Sequence, residues 1–145
     1  MAGAAETQPI IYIAEDNQIL LQGLERALTA NGYAVRTAGD GAAVVALLES
    51  GEELPALLLL DLMMPGMNGL DVLRAVRADP RWTGIPVILI TAATMGELAG
   101  TEAGAGAVDL LLKPFRLQEL LEMVAARIGS AGPEAEPRGG ASTDD

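Results

Sequence analysis

Ala56-Leu57-Leu58-Leu59-Leu60-Asp61 sets five apolar residues in a row against a single acid. The run fits neither the alternation of a half-buried strand nor the spacing of a surface helix. An apolar stretch this short suits a strand covered on both faces, and such strands belong to parallel sheets. Two more stretches repeat the pattern: Ile10-Ile11-Tyr12-Ile13-Ala14 runs into Glu15-Asp16, and Val87-Ile88-Leu89-Ile90 runs into Thr91. Tyr33 to Ala38 alternates more, with Val35 between Ala34 and Arg36, which predicts an edge strand. Val108 to Leu112 is the fifth candidate.

Helical patterns fill the intervals. Leu20, Leu24, Ala27 and Leu28 share one face ahead of Asn31-Gly32, and Leu70, Leu73 and Val76 do so ahead of Asp79-Pro80. Asp40 is placed to cap the segment carrying Val44, Leu47 and Leu48, which stops at Ser50-Gly51. Leu117, Leu120, Leu121, Val124 and Ile128 form the clearest amphipathic stripe. Met95 to Gly106 is the weakest helix, since Gly96, Gly100, Gly104 and Gly106 each cost up to ~1 kcal/mol relative to Ala in a helix interior. Strict alternation of strand and helix predicts an α/β domain over residues 9–128, a doubly wound five-stranded parallel sheet with helices on both faces. Residues 129–145, rich in Gly, Pro, Ser and acid, predict a disordered tail.

Composition narrows the chemistry. The 145 residues allow one core, and with aromatics at 3% that core must be aliphatic. Nine basic against twenty acidic residues leave a net charge of −11, which opposes non-specific attraction to nucleic acid or anionic lipid. The absence of Cys and His removes thiolate chemistry, the commonest metal ligand and the commonest general base. No apolar run approaches the length of a membrane span, and the N-terminus lacks the pattern of a signal peptide, so a soluble cytoplasmic protein is expected.

In an open parallel sheet, ligands bind beyond the carboxyl ends of the strands. The groups expected there are Glu15 and Asp16, Asp61, Thr91 and Lys113, the last being the only lysine in the chain. Three carboxylates brought together repel one another unless protonated or bridged by a cation. Oxygen donors alone suit a hard divalent ion, most simply Mg2+. A carboxylate, a divalent ion, an ammonium and a hydroxyl are together what phosphoryl transfer requires.

These motifs resemble response-regulator receiver domains of two-component signalling. The resemblance rests on Glu15-Asp16 after a buried strand, Asp61 followed by Met63-Met64-Pro65-Gly66-Met67-Asn68-Gly69, Thr91-Ala92, and Gly106-Ala107 leading to Lys113-Pro114-Phe115, and it covers Pro9 to Ile128. It implies a flavodoxin-like strand order 2-1-3-4-5 and a phosphoacceptor at Asp61, charged from a partner histidine kinase or histidine phosphotransfer protein. It further implies direct Mg2+ ligation by Asp16 and Asp61, a water-mediated contact from Glu15, and a fourth protein ligand in the backbone carbonyl of Met63. Thr91 is expected to hydrogen-bond a phosphoryl oxygen and Lys113 to pair with another, across a cis Lys113-Pro114 bond. Such a domain is not a classical enzyme. As a stand-alone receiver, the chain is expected to signal by docking to a downstream protein or by passing the phosphoryl group on.

One departure stands out. Many receivers carry Tyr or Phe three residues before the lysine, and here that position is Leu110. A phosphorylation-independent binding module is therefore one alternative. Another is a Mg2+-dependent phosphohydrolase of the haloacid-dehalogenase type, although the second acid which that chemistry uses falls at Met63. Leu110, Leu111 and Leu112 make an edge strand apolar on both faces, which predicts a homodimer through the fifth strand and its neighbouring helices.

Overall fold

In the computed structural model, which describes residues 8–50, 53–92 and 109–128, the leucine run forms a strand, β3 (Leu57–Asp61), buried along its whole length. Leu58 and Leu60 pack into one core layer while Leu57 and Leu59 pack into the other, so the strand is apolar at every position because each face has its own core. Around it lie β1 (Ile10–Ala14), β2 (Ala34–Ala38), β4 (Val87–Thr91) and β5 (Asp109–Leu112), all parallel, in the order β2-β1-β3-β4-β5. The predicted sheet and strand order are both observed. Four described helices cover it: α1 (Gln18–Ala30), α2 (Gly41–Ser50), α3 (Gly69–Ala78) and α4 (Leu117–Ile128). α2 and α3 bury Val44, Leu48, Val72 and Val76 on the Leu58 side, and α1 and α4 bury Leu24, Leu28, Leu120 and Val124 on the other. Each of these aliphatic side chains gains ~1.5–3 kcal/mol by leaving water.

Helix starts follow their capping residues. The Asn17 side chain accepts the N–H groups of Ile19 and Leu20, and the Asp40 carboxylate accepts the N–H of Ala43 at 2.8 Å. Asn68 and Asp71 exchange hydrogen bonds in a reciprocal capping box at the start of α3. Phase differs from the sequence reading in two helices. The face that α1 buries is Leu21, Leu24 and Leu28, with Leu20 only partly covered, and Leu117 at the first position of α4 is exposed. β5 lies at the sheet edge as expected: Leu111 is buried, Leu110 packs partly against one core layer, and Leu112 is 45% exposed. Arg127 in the last turn of α4 pairs with Asp109 at the start of β5, tying helix to edge strand. The weak helix expected at Met95 to Gly106 and the tail at 129–145 lie outside the described residues.

Candidate functional site

Ladder hydrogen bonds continue one residue past the strand ends and fix the backbone there. Glu15 donates its N–H to the Ala38 carbonyl at 3.1 Å, Leu62 to that of Ile90 at 2.8 Å, and Lys113 to that of Thr91 at 2.8 Å. Side chains at this rim are therefore held by the sheet rather than by mobile loops. Asp61 is 3% exposed and Glu15 1% exposed, whereas Asp16, one residue further on, is exposed. One carboxylate oxygen from each of Glu15, Asp16 and Asp61 lies within 4.8 Å of the other two. The Lys113 ammonium is 3.3 Å from Asp61 Oδ2 and 3.9 Å from Glu15 Oε1.

Backbone donors complete the hold on the two buried acids. Asn17 N–H reaches Glu15 Oε2 at 3.0 Å, and Met63 N–H reaches Asp61 Oδ1 at 3.0 Å. Glu15 Oε1 is buried and, among the described residues, accepts no hydrogen bond. Leaving a buried carboxylate oxygen unsatisfied costs free energy, and the geometry here offers it to a cation. All the facing donors are oxygens, so the residues fit a hard divalent ion. Thr91, fully buried, ends β4 beside this group, Ala92 follows it exposed, and the Lys113–Pro114 bond is cis. Met63 turns its side chain to solvent, 67% exposed, while its backbone faces Asp61.

Two residues shape the site in ways that the sequence does not assign to them. Asn17 both caps α1 and donates to Glu15, and its position between an acid and the first helical turn is a recognisable N-cap signal. Gly69 lies so close to the backbone of Asp61 and Leu62 that a Cβ there would fall 2.6 Å from the Asp61 carbonyl oxygen. Asn68-Gly69 alone suggests only a turn and a helix start.

A family model described as the response regulator receiver domain matches residues 11–125. The chain belongs to this family. Among curated relatives, the DNA-binding response regulator MtrA of Mycobacterium tuberculosis is 40% identical over 120 residues, covering 81% of this chain and 50% of that protein. The chain thus spans about half the length of the curated relatives it matches. Among solved structures, the receiver domain of the Pseudomonas aeruginosa sensor histidine kinase PA1611, with a magnesium ion coordinated in its active site cleft, is 28% identical with a TM-score of 0.73. The match covers 86% of this chain and all of that one. The Thermotoga maritima response regulator TrrA, in complex with Mg2+-BeF, is 26% identical with a TM-score of 0.71, over 82% of this chain and 98% of that one. Receiver domains are signalling modules of two-component systems that work with histidine kinases, so the phosphohydrolase alternative is set aside. No described helix of this receiver is long and apolar enough to cross a membrane. Because the relatives include proteins named as DNA-binding, family membership does not extend the exclusion of nucleic acid drawn from net charge.

Electrostatics at the receiver site has a measurable signature. Burial first, and then the neighbouring Asp61 carboxyl, push the Glu15 carboxyl from an ordinary 4.5 up to about 7. Below about pH 4.5 folded and unfolded chains both hold this proton; between there and about 7 the folded chain keeps a proton that the unfolded chain has released. Stability from this group therefore falls as pH rises through that window. In chelator-treated protein, the Glu15→Gln variant is expected to lose that part of the pH slope, read by denaturant unfolding at about pH 5 and about pH 8. Identical slopes for variant and wild type would contradict the assignment.

Proposed function

We propose that this receiver accepts a phosphoryl group on Asp61 from the phosphohistidine of a partner kinase or phosphotransfer protein. The observation that carries the reading is the buried Asp61 carboxylate, clustered with Glu15 and Asp16 and contacted by the Lys113 ammonium. In the step proposed, an Asp61 carboxylate oxygen forms a new P–O bond while the donor's P–N bond breaks, and the leaving imidazole keeps the electron pair and takes up a proton. Asp16, Asp61 and the Met63 carbonyl are the ligands we assign to Mg2+, with Glu15 holding it through water. Bound there, the ion offsets charge on the phosphoryl oxygens. Lys113 supplies the second cation, and the Thr91 hydroxyl donates to a phosphoryl oxygen. The magnesium in the PA1611 receiver supports the metal assignment. Phosphorylation by acetyl phosphate tests the reading: one phosphoryl group per chain by intact mass with Mg2+, and none with chelator, is expected. Equal incorporation under both conditions would contradict it.

The same reading takes residues 9–128 as the functional unit, places it in the cytoplasm with its phosphodonor, and assigns its output to docking with a downstream protein or to onward transfer. It also keeps a homodimer through β5. Leu112 is exposed on that edge strand and Leu110 only half covered, which leaves apolar surface at the edge of the described sheet. Light scattering from micromolar to higher concentrations is expected to show association in wild type and its loss in Leu110→Glu. A wild type that stays monomeric throughout ends the dimer proposal.

A further inference from the structure

We infer that the turn between β2 and α2, none of whose side chains belongs to the acid cluster, braces the two arms of the metal site, with Gly41 as its positioning residue. The inference deepens the metal site proposed above and rests on it. At the start of the turn the Ala38 carbonyl accepts the Glu15 N–H at 3.1 Å, which holds the strand end carrying Glu15 and Asp16. Three residues on, Gly41 opens α2, buried against the loop that follows Asp61. A Cβ on Gly41 would overlap the Met67 carbonyl oxygen, and would stand 3.0 Å from the Met67 carbonyl carbon and 2.9 Å from Val72 Cγ2. Only a residue without a side chain admits backbone that close. The carbonyl's partial negative charge then lies at the amino end of α2, where the helix carries partial positive charge.

The loop that Gly41 supports has little slack. Its base is closed by the Gly69 N–H on the Leu62 carbonyl at 3.1 Å, and its exit is fixed by the capping box of Asn68 and Asp71. At its entrance the Met63 N–H holds Asp61 Oδ1 at 3.0 Å, and Met64 is buried in the core layer that α2 also covers. Pro65 restricts the backbone between them. A loop pinned at both ends cannot take up a shift at Met67 within that one residue, so the shift passes along it to Met63. That residue's N–H holds the proposed nucleophile, and its carbonyl is the ligand assigned to Mg2+. Gly41 thus acts on the ion at one remove, through Met67, and from a different helix than Gly69.

Calorimetric titration of the purified chain with MgCl2 tests this in wild type, Gly41→Ala, Gly39→Ala and Leu48→Ala, with denaturant unfolding of each alongside. Gly41→Ala is expected to bind Mg2+ about tenfold more weakly, the loss typical when a support of a metal ligand is displaced. Gly39→Ala, in the same turn, should match wild type, because a Cβ there has no neighbour within 4 Å among the described residues. Leu48 is fully buried about two turns further along α2, so Leu48→Ala should lower the unfolding midpoint yet leave Mg2+ affinity unchanged. Gly41→Ala combined with Val72→Ala removes the side-chain overlap and keeps the carbonyl one, so it should show the same loss and gives the answer should the single variant misfold. Wild-type affinity in a folded Gly41→Ala chain, single or double, overturns the inference while leaving the metal site standing. An equal loss in Leu48→Ala also overturns it, by tracing the effect to stability alone. Failure of every protein, wild type included, to bind Mg2+ removes the metal site itself and the inference with it.

Discussion

Asp61→Asn should abolish acceptance of the phosphoryl group, from acetyl phosphate and from a kinase phosphohistidine alike. The substitution keeps the shape and an oxygen able to accept the Met63 N–H, so the end of β3 should stay in place. What it removes is the carboxylate proposed to attack phosphorus, which is also one of the three clustered carboxylates. An amide oxygen is a far weaker nucleophile than a carboxylate, and neither clustered acid is equally placed: the Lys113 ammonium stands 3.9 Å from Glu15 against 3.3 Å from Asp61, and Asp16 is exposed to water. Intact mass after incubation with the donor reads the outcome, with thermal melting to show that the variant is folded. Incorporation by the variant at the wild-type level would take the role away from Asp61.

Gly69→Ala should cost stability and phosphoryl uptake together. An added Cβ would lie 2.6 Å from the Asp61 carbonyl oxygen and 2.9 Å from Leu62 Cα, both backbone atoms with no rotamer to escape into. Alanine is the better helix former by up to ~1 kcal/mol, but forcing backbone apart in a packed region typically costs ~1–3 kcal/mol and occasionally more, so the net sign is destabilising. The displaced peptide is that of Asp61 itself, and misplacing a reacting group by ~1 Å can cost on the order of a hundredfold in rate. Gly23→Ala provides the contrast. Gly23 lies within α1, and a Cβ added there would have no neighbour within 4 Å among the described residues. This change should raise stability by ~0.5–1 kcal/mol and leave uptake unaltered. Denaturant midpoints and initial rates of phosphorylation check both, and shifts of the same sign in the two variants would refute the packing argument.

The elements that can be read from the sequence are those whose signal is local. Leu57 to Leu60, Ile10 to Ala14 and Val87 to Ile90 announce strands because both faces are covered, which forces every position to be apolar. Strand order is not a local property; it comes with the resemblance carried by Asp61, Lys113-Pro114 and their neighbours. Helix phase is legible where apolar residues are sparse and ambiguous where they crowd. In Ile19-Leu20-Leu21 any of three residues could start the buried stripe, and the sheet selects Leu21. Leu117 fits the helical period, but it is the first residue of α4 and is left exposed.

At the site, the residue types are legible and their inequality is not. Glu15 and Asp16 are adjacent letters, yet the ladder bond from Glu15 N–H to Ala38 continues the strand and draws one acid inward, while the other faces water. The raised carboxyl of Glu15 and its unsatisfied oxygen follow from that burial. Close approach of Gly69 to Asp61 depends on the path of the intervening loop, which no spacing rule encodes.

A phosphoryl group held on Asp61 is an acyl phosphate, and that bond has a chemical signature of its own. Borohydride reduces an acyl phosphate to an alcohol, so a phosphorylated aspartate becomes homoserine in the peptide that contained it. Treating the receiver with acetyl phosphate and Mg2+, reducing with borohydride and sequencing the peptides by mass spectrometry should find homoserine in place of Asp61 and nowhere else. Reduction at another carboxylate, or a fully phosphorylated chain with Asp61 intact, would contradict the account.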